Sequence, residues 1–383
     1  MQDLLHPFDF TPLNRVIFGS GALAQLGDRA RDLGGRRILV VTDPGLERAG
    51  HPQRARRILE SAGLQVFVFD QVRENPTNRH VEVGLSFAKQ HEIDLIVAIG
   101  GGSSMDCAKG INFLFTNGGK MSDYKGFGKA TRPMLPSIGI PTTAGTGSEA
   151  QCYALITDES SHLKMACGDK KAAFRIAILD PELTLSQPRQ VAAVTGIDAI
   201  AHALEAYVCT RRSAISSLYA AEAYHLIEPN LAITLEAPEN ATARSAMLLG
   251  AHCAGVAIEN AMLGICHSCA NPLTAHYGIT HGSAIGMLLP HVIRFNAAAV
   301  EHLYAQLIFT QSRSNGEPAS AILARRVAEL VSLCGLPTRL RDCGVSASIL
   351  HLLAEESSQQ WTAQFNPRPV TEAELLSVYE MAW

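Results

Sequence analysis

Residues 94–106, DLIVAIGGGSSMD, decide the fold: an apolar run ends there in three glycines, and residues 107–115 continue with apolar side chains at helical spacing. A near-continuous apolar run is typical of a strand that is covered on both faces. Glycines permit a tight turn, and the unpaired amides at a helix start attract phosphate groups. The stretch therefore predicts a strand, a turn and a helix whose first turn is able to bind a pyrophosphate.

A second interpretation of the same stretch needs no ligand. Ser103 and Asp106 have the spacing of a capping box. In such a box the side chain of Ser103 caps the helix by accepting from the amide of Asp106, and the carboxylate of Asp106 accepts from the amide of Ser103. The glycines also lack the G-x-G-x-x-G pattern of dinucleotide-binding turns. The sequence alone leaves both interpretations open.

The first half of the chain alternates strand and helix patterns. Strand-like apolar runs occupy residues 37–43, 65–70, 94–100, 135–140, 152–157 and 176–179, and helical periods occupy 53–62 and 78–91. Alternation of this kind predicts an α/β domain with a parallel sheet.

The second half has a different pattern. From Pro188 onward the sequence is rich in alanine and helical in period. Breaks between helices are expected at four prolines, namely Pro229, Pro272, Pro290 and Pro337. We therefore predict an α/β domain over residues 1–184 and an all-helical domain over residues 185–383.

Composition narrows the class of protein. Apolar residues make up 47% of the 383 residues and charged residues 18%, which excludes a disordered chain. The formal net charge of −4 argues against a nucleic-acid partner. The N-terminus lacks a basic segment before an apolar one, and the most apolar stretch, 246–258, is shorter than the roughly 20 residues that cross a bilayer. With nine scattered cysteines, these features predict a cytoplasmic protein without a membrane partner.

Two further features follow predicted strands. Residues 141–149, PTTAGTGSE, form a second polar turn, which we expect on the same sheet edge as the glycine turn, where open α/β folds bind ligands. Asp43 ends the first clear strand, where a carboxylate is able to bind a ribose diol and repel a 2′-phosphate. An ordinary turn aspartate before Pro44 is the alternative interpretation of Asp43.

Four side chains of the helical half have the chemistry of metal ligands. Asp198 and His202 are four residues apart, so both project from one helix face. Thirteen residues separate His267 from His281, far enough to lie on two helices. The set of three nitrogens and one oxygen suits a divalent first-row metal. The alternatives are a charge near a helix N-terminus for Asp198 and a packed core position for His202.

Together these motifs resemble the iron-containing (group III) alcohol dehydrogenases over nearly the full chain. The resemblance rests on VVTD at 40–43, GGGSSMD at 100–106, PTTAGTGSE at 141–149 and HG at 281–282. It implies an α/β N-terminal dinucleotide-binding domain with a parallel sheet and an all-α C-terminal domain for metal and substrate, an architecture similar to that of dehydroquinate synthase. It also implies NAD, one divalent metal with Fe²⁺ favoured over Zn²⁺, a small alcohol or aldehyde as substrate, and a homodimer.

The resemblance carries over residue by residue. The implied metal ligands are Asp198, His202, His267 and His281. The implied cofactor contacts are Asp43, Asn75, Gly101, Gly102, Ser103, Asp106, Thr142, Thr143, Thr146, Ser148 and Lys164, and Asp43 indicates NAD rather than NADP.

One departure from the family pattern affects the proton route. The family commonly has a histidine four residues after the third ligand, and this chain has Asn271 there. An asparagine is not a general acid at neutral pH, so Asn271 and the nearby His276 are the remaining candidates for a proton relay. Thr280 also replaces the proline that often precedes the last ligand.

The expected reaction is reversible hydride transfer between a small alcohol and NAD, with the metal as Lewis acid. One alternative is a dehydroquinate-synthase-like lyase that uses NAD and a metal. Such an enzyme needs basic residues around its substrate, and residues 254–286 contain no lysine or arginine. The other alternative is a dinucleotide-binding protein that has lost catalysis.

Overall fold

The computed structural model describes residues 7–160, 163–308 and 316–383. The chain consists of two compact units. One comprises Thr11–Gln187, and the other comprises Pro188–Trp383 together with the segment that ends at Phe10. The boundary predicted at 184/185 lies close to this division.

The first unit contains nine described strands and five described α-helices. The strands are β1 (Arg15–Phe18), β2 (Arg37–Val41), β3 (Gln65–Phe69), β4 (Leu95–Gly100), β5 (Gly126–Phe127), β6 (Ser137–Pro141), β7 (Tyr153–Thr157), β8 (Lys164–Gly168) and β9 (Ile176–Leu179). The helices are α1 (Leu26–Asp32), α2 (Pro44–Ala49), α3 (His51–Ser61), α4 (Asn78–Gln90) and α5 (Gly102–Asn117).

Six of these strands form a parallel sheet in the order β1-β9-β6-β4-β2-β3. Both faces of the sheet are covered. Leu39 and Val41 of β2 belong to one apolar cluster, and the alternating residues Ile38 and Val40 belong to the other. The predicted α/β class with a parallel sheet is confirmed. Burial on both faces of the sheet explains the unbroken apolar runs seen in the sequence.

Two local expectations need correction. The run at 152–157 forms a strand, β7, but in a separate sheet of order β5-β8-β7 in which it pairs antiparallel with β8. The capping box is absent: α5 begins at Gly102, its N-cap is Gly101, and no side chain caps it. The glycine turn therefore leaves the first amides of α5 without a side-chain acceptor.

The second unit is built from nine described α-helices. They are α6 (Arg189–Val208), α7 (Ala214–Ile227), α8 (Asn230–Glu236), α9 (Ala241–Asn260), α10 (Ile265–Tyr277), α11 (His281–Leu307), α12 (Ala319–Leu333), α13 (Leu350–Ser358) and α14 (Glu372–Ala382). Among the described residues after Thr184 no strand occurs, which confirms the helical prediction.

Two of the four predicted proline breaks are wrong. Helices are interrupted near Pro229 and Pro337 as predicted, but α10 continues through Pro272 and α11 continues through Pro290. A proline inside a helix removes one backbone hydrogen bond, and tertiary packing is able to offset that loss. The irregular backbone of α11 lies instead at Val300, where φ is −130°.

The apolar segments are longer than the stretch 246–258 that the sequence suggested. By length and composition alone, α6 and α11 are able to cross a membrane, as is the pair α9 and α10 if its 104° bend is ignored. The most apolar parts of α6 and α11 are 89% and 67% buried within the structure. Most of the apolar residues in these two helices are therefore buried in the protein core. The absence of a membrane partner stays a prediction.

Candidate functional site

The metal-ligand candidates come from three helices of the second unit. Asp198 and His202 lie one turn apart on α6, His267 is the third residue of α10, and His281 is the first residue of α11. The side chains of Asp198, His202 and His267 are at most 10% exposed, and that of His281 is 30% exposed. Packing of α11 against α6 and α10 thus brings together residues up to 83 positions apart in sequence.

The ring nitrogens converge on one carboxylate oxygen. Oδ1 of Asp198 lies 3.5 Å from Nε2 of His202, 3.4 Å from Nε2 of His267 and 3.7 Å from Nε2 of His281. The ligand atoms of Asp198, His267 and His281 all lie within 4.8 Å of one another. The ring of His202 stacks on that of His267 with centroids 4.9 Å apart. The structure thus brings all four predicted side chains together, although the coordinating role of each stays a prediction.

These distances fit a shared cation. Ligands about 2.1 Å from a tetrahedral metal lie about 3.4 Å from one another, close to the separations observed here. Oδ1 of Asp198 and Nε2 of His267 are buried and have no hydrogen-bond partner among the described residues. Buried polar atoms without partners are costly unless an ion or water satisfies them. The donor set and its unsatisfied atoms therefore fit a divalent metal.

The charges of the site reinforce one another. Burial opposes ionisation of Asp198, but the nearby rings of His202, His267 and His281 hold the pKa of this carboxyl well below its usual range. Burial also lowers the pKa of His267, but the carboxylates of Glu205 and Asp198 outweigh it and raise the pKa to about 9. The site is therefore built to hold positive charge, and a proton competes with a metal for His267.

Glu205 is a functional residue that the sequence reasoning missed. Its Oε2 accepts a hydrogen bond from Nδ1 of His267 at 2.5 Å, and its Oε1 accepts one from the backbone amide of Cys266 at 2.7 Å. The first contact directs Nε2 of His267 toward Asp198, as carboxylates behind metal-bound histidines do. The signal was present in the sequence, because Asp198, His202 and Glu205 share one face of α6 at spacings of four and three.

The two polar turns of the first unit meet as predicted. Gly100 of β4 is paired with Pro141 of β6, so both turns leave the same edge of the sheet. A Cβ on Gly102 would lie 2.9 Å from Cγ2 of Thr146, and one on Gly101 would lie 3.4 Å from the side chain of Thr143. Glycine is therefore needed at 102 for the turns to pack, and the amides at the start of α5 fit a pyrophosphate.

The remaining predicted cofactor contacts lie on other segments of the same unit. Oδ1 of Asp43 accepts hydrogen bonds from the amides of Gly45 and Leu46, so Asp43 is also the N-cap of α2. Lys164 pairs with Thr157 across the small sheet, and the amide of Thr157 donates to the carbonyl of Pro76, next to Asn75. Asn75 has a left-handed backbone with φ of 51°. The contacts of these residues with a cofactor stay predictions.

Thr142, Asp106, Ser148 and Ser103 complete the set. Ser103 lies in the first turn of α5, and the amide of Thr142 donates to the carbonyl of Gly100. Asp106 and Ser148 are buried and bonded to each other, with 2.8 Å between Ser148 Oγ and Asp106 Oδ1.

The two proton-relay candidates have partners of their own. Nδ2 of Asn271 donates to Oε1 of Gln360 at 3.1 Å, and Nε2 of His276 lies 2.9 Å from both carboxylate oxygens of Glu356. His276 and Glu356 are each about one third exposed. A relay role for either candidate stays a prediction.

Comparison with known proteins identifies the family. Residues 13–181 match the model of the family described as iron-containing alcohol dehydrogenase, and residues 192–383 match that of its C-terminal domain. The chain is 36% identical over 367 residues to alcohol dehydrogenase 4 of Schizosaccharomyces pombe, covering 96% of this chain and 87% of that protein. It is 34% identical to the NAD-dependent methanol dehydrogenase of Bacillus methanolicus, covering 97% and 99%. A crystal structure of 1,3-propanediol oxidoreductase superposes with a TM-score of 0.94 at 32% identity, covering 99% and 100%.

Glu205→Gln tests the role of the carboxylate behind His267. A glutamine offers one acceptor and one NH₂ where two donors now point, so His267 loses its orientation. We expect the metal affinity to fall by about 10- to 100-fold, measured anaerobically by competition with a chromogenic chelator. Glu356→Gln breaks the exposed pair with His276 and is the matched control. Equal metal affinity in the two variants would contradict this role.

Proposed function

We propose, because the chain belongs to the iron-containing alcohol dehydrogenase family, that it catalyses reversible hydride transfer between a small alcohol and NAD. In the reverse direction the substrate is an aldehyde or ketone. The observation that carries the proposal is the convergence of Asp198, His267 and His281, in which Oδ1 of Asp198 and Nε2 of His267 are buried and have no hydrogen-bond partner among the described residues. The glycine turn at α5 supports a dinucleotide as the second participant.

The protein supplies charge balance and orientation. A divalent metal held by Asp198, His202, His267 and His281 would supply Lewis acidity toward an alcohol or carbonyl oxygen, and a bound nicotinamide would supply the hydride chemistry. Asp198 contributes one negative charge and the histidines contribute none when neutral, so a divalent metal and these four side chains together would carry a net charge of about +1, which the carboxylate of Glu205 behind His267 offsets in part. Glu205 holds the ring of His267 in one orientation. The exposed edge of His281 leaves the site accessible to a small molecule.

The test is removal and return of the metal. Protein stripped with a chelator under anaerobic conditions is expected to lose alcohol-dependent NADH formation by at least about a hundredfold and to regain it with Fe²⁺. Short primary alcohols, secondary alcohols and diols are assayed in parallel. Asp198→Asn should bind NADH normally and remain inactive. Metal-loaded protein that binds NADH but oxidises none of these alcohols would favour a lyase or a catalytically inactive protein.

The proposal includes NAD rather than NADP as the preferred cofactor. The carboxylate of Asp43 sits at the end of β2, where it would repel a 2′-phosphate. Asp43→Ser keeps an N-cap acceptor for α2 and removes the charge. We expect the ratio of kcat/KM for NADP to that for NAD to rise at least about tenfold. Asp28→Ser, on the exposed face of α1, is the control, and an unchanged ratio in Asp43→Ser would contradict the assignment.

The proposal also includes a homodimer. β1 is an edge strand of the six-stranded sheet, and its Val16 and Phe18 are 41% and 43% exposed. Edge strands with exposed apolar residues are prone to pair with another chain unless they are protected. This supports β1 as the contact with a second copy.

Phe18→Lys tests the dimer contact. A charge on the edge strand is expected to halve the molar mass measured by light scattering during size-exclusion chromatography. Leu218→Lys, at a residue 68% exposed on α7, should leave the mass unchanged. A wild-type protein that runs as a monomer, or a Phe18→Lys variant that stays dimeric, would refute this contact.

A further inference from the structure

Lys109 is a buried cation that neither polar turn accounts for. It lies on α5, two turns after the glycine turn, and only 2% of the residue is exposed. Its Nζ donates to the carbonyl of Ser148 at 2.8 Å, to Oγ of Ser148 at 2.9 Å and to the carbonyl of Tyr153 at 2.8 Å. The ammonium group also lies 5.3 Å from the centre of the Phe174 ring.

A carboxylate completes this network. Oγ of Ser148 donates to Oδ1 of Asp106 at 2.8 Å. This Oδ1 of Asp106 lies 3.9 Å from Nζ of Lys109. Burial raises the pKa of Asp106, and the charge of Lys109 and the hydrogen bond from Ser148 oppose that rise. The hydroxyl of Ser148 therefore links a buried cation to a buried anion.

The network joins α5 to the second polar turn. Lys109 and Asp106 belong to α5, and Ser148 belongs to the second polar turn, where it begins the 3-10 helix Ser148–Ala150. The amide of Ser148 also donates to Oγ1 of Thr146 at 3.3 Å, the side chain that packs against Gly102. A position fixed at Ser148 is therefore transmitted to the contact between the two turns.

A buried ion pair is a costly way to fill space. Apolar side chains of similar volume are often as stable or more stable, because taking charges out of water costs more than their attraction returns. Three directed hydrogen bonds from one ammonium group do what an apolar chain cannot, since they fix two carbonyls and one hydroxyl at set distances. Stability alone therefore does not explain Lys109.

We propose that Lys109 is a positioning residue for dinucleotide binding, acting through Ser148 and Asp106 to hold the second polar turn against the first turn of α5. The inference rests on the proposed function, in which NAD binds at these turns. Lys109 touches neither cofactor nor substrate in this role. It sets the spacing at which Gly102 and Thr146 pack, and hence the shape of the phosphate site.

The experiment compares NADH binding in Lys109→Met and in the wild type. Metal-loaded protein is titrated with NADH and followed by nicotinamide fluorescence. We expect the Kd for NADH and the KM for NAD to rise about tenfold or more, because methionine has no donors for the network. At saturating NAD, kcat should stay within about threefold of the wild type, and the metal content should not change.

Lys171→Met is the matched control. Lys171 lies in the same unit, and its Nζ donates to the carbonyl of Ala130 at 3.1 Å and pairs with Asp169 at 3.3 Å. It takes no part in the bonds between α5 and Ser148. A wild-type Kd for NADH in Lys109→Met, or a loss of affinity no larger than that of Lys171→Met, would overturn the proposal.

A second variant covers poor folding of Lys109→Met. Ser148→Ala removes the hydroxyl that links Lys109 to Asp106 and keeps both carbonyl contacts, so we expect a Kd for NADH about three- to tenfold above the wild type. In the double variant the two effects should not add, because they interrupt one network. Wild-type affinity in Ser148→Ala, or additive effects in the double variant, would refute coupling through Ser148.

The outcome separates this inference from the proposed function. A wild-type protein that does not bind NADH contradicts the proposed function itself. If the wild type binds NADH and Lys109→Met binds it equally well, only the role of Lys109 is contradicted.

Discussion

The helical unit depends on one buried carboxylate and the imidazoles around it. Oδ1 of Asp198 is within 3.7 Å of three ring nitrogens, yet it has no hydrogen-bond partner among the described residues. This arrangement is unfavourable without a cation and favourable with one, because a cation would satisfy Oδ1 of Asp198 and the Nε2 atoms that face it. Glu205 extends the same logic, since it anchors both His267 and the first turn of α10. The packing of α6, α10 and α11 is thus tied to the chemistry of the site.

The α/β unit solves a different problem with similar means. Its two polar turns approach so closely that a side chain at Gly102 would collide with Thr146. When the two turns lie this close, the amides of α5 are available to a phosphate, but the second turn has to be held in place by other contacts. The buried hydrogen bonds from Lys109 on α5 to Ser148 and Tyr153 are contacts of this kind. In both units a buried charge fixes a functional element that apolar packing alone would leave less well defined.

The differences between expectation and structure have identifiable causes. Pro272 and Pro290 lie inside helices because tertiary contacts offset the lost hydrogen bond, which local propensity does not include. Ser103 and Asp106 have capping-box spacing, yet the N-cap of α5 is Gly101, two residues before Ser103, and Asp106 is hydrogen-bonded to Ser148. The run that forms β7 has the composition of a core strand, but its antiparallel partner β8 places it in a second sheet. Each error concerns a partner distant in sequence.

Local pattern indicated the fold class and, together with the family resemblance, the residues that meet at the metal site. Strand runs buried on both faces, glycine turns at strand ends, and an i, i+4 pair of ligand types are properties of neighbouring residues, so they are legible in the chain. The role of Glu205 behind His267, the link from Lys109 to Ser148, and the fit of Gly102 against Thr146 are contacts between residues 39 to 62 positions apart. They arise only when helices and turns pack, because hydrogen bonds and steric contacts depend on distances that periodicity and composition do not encode.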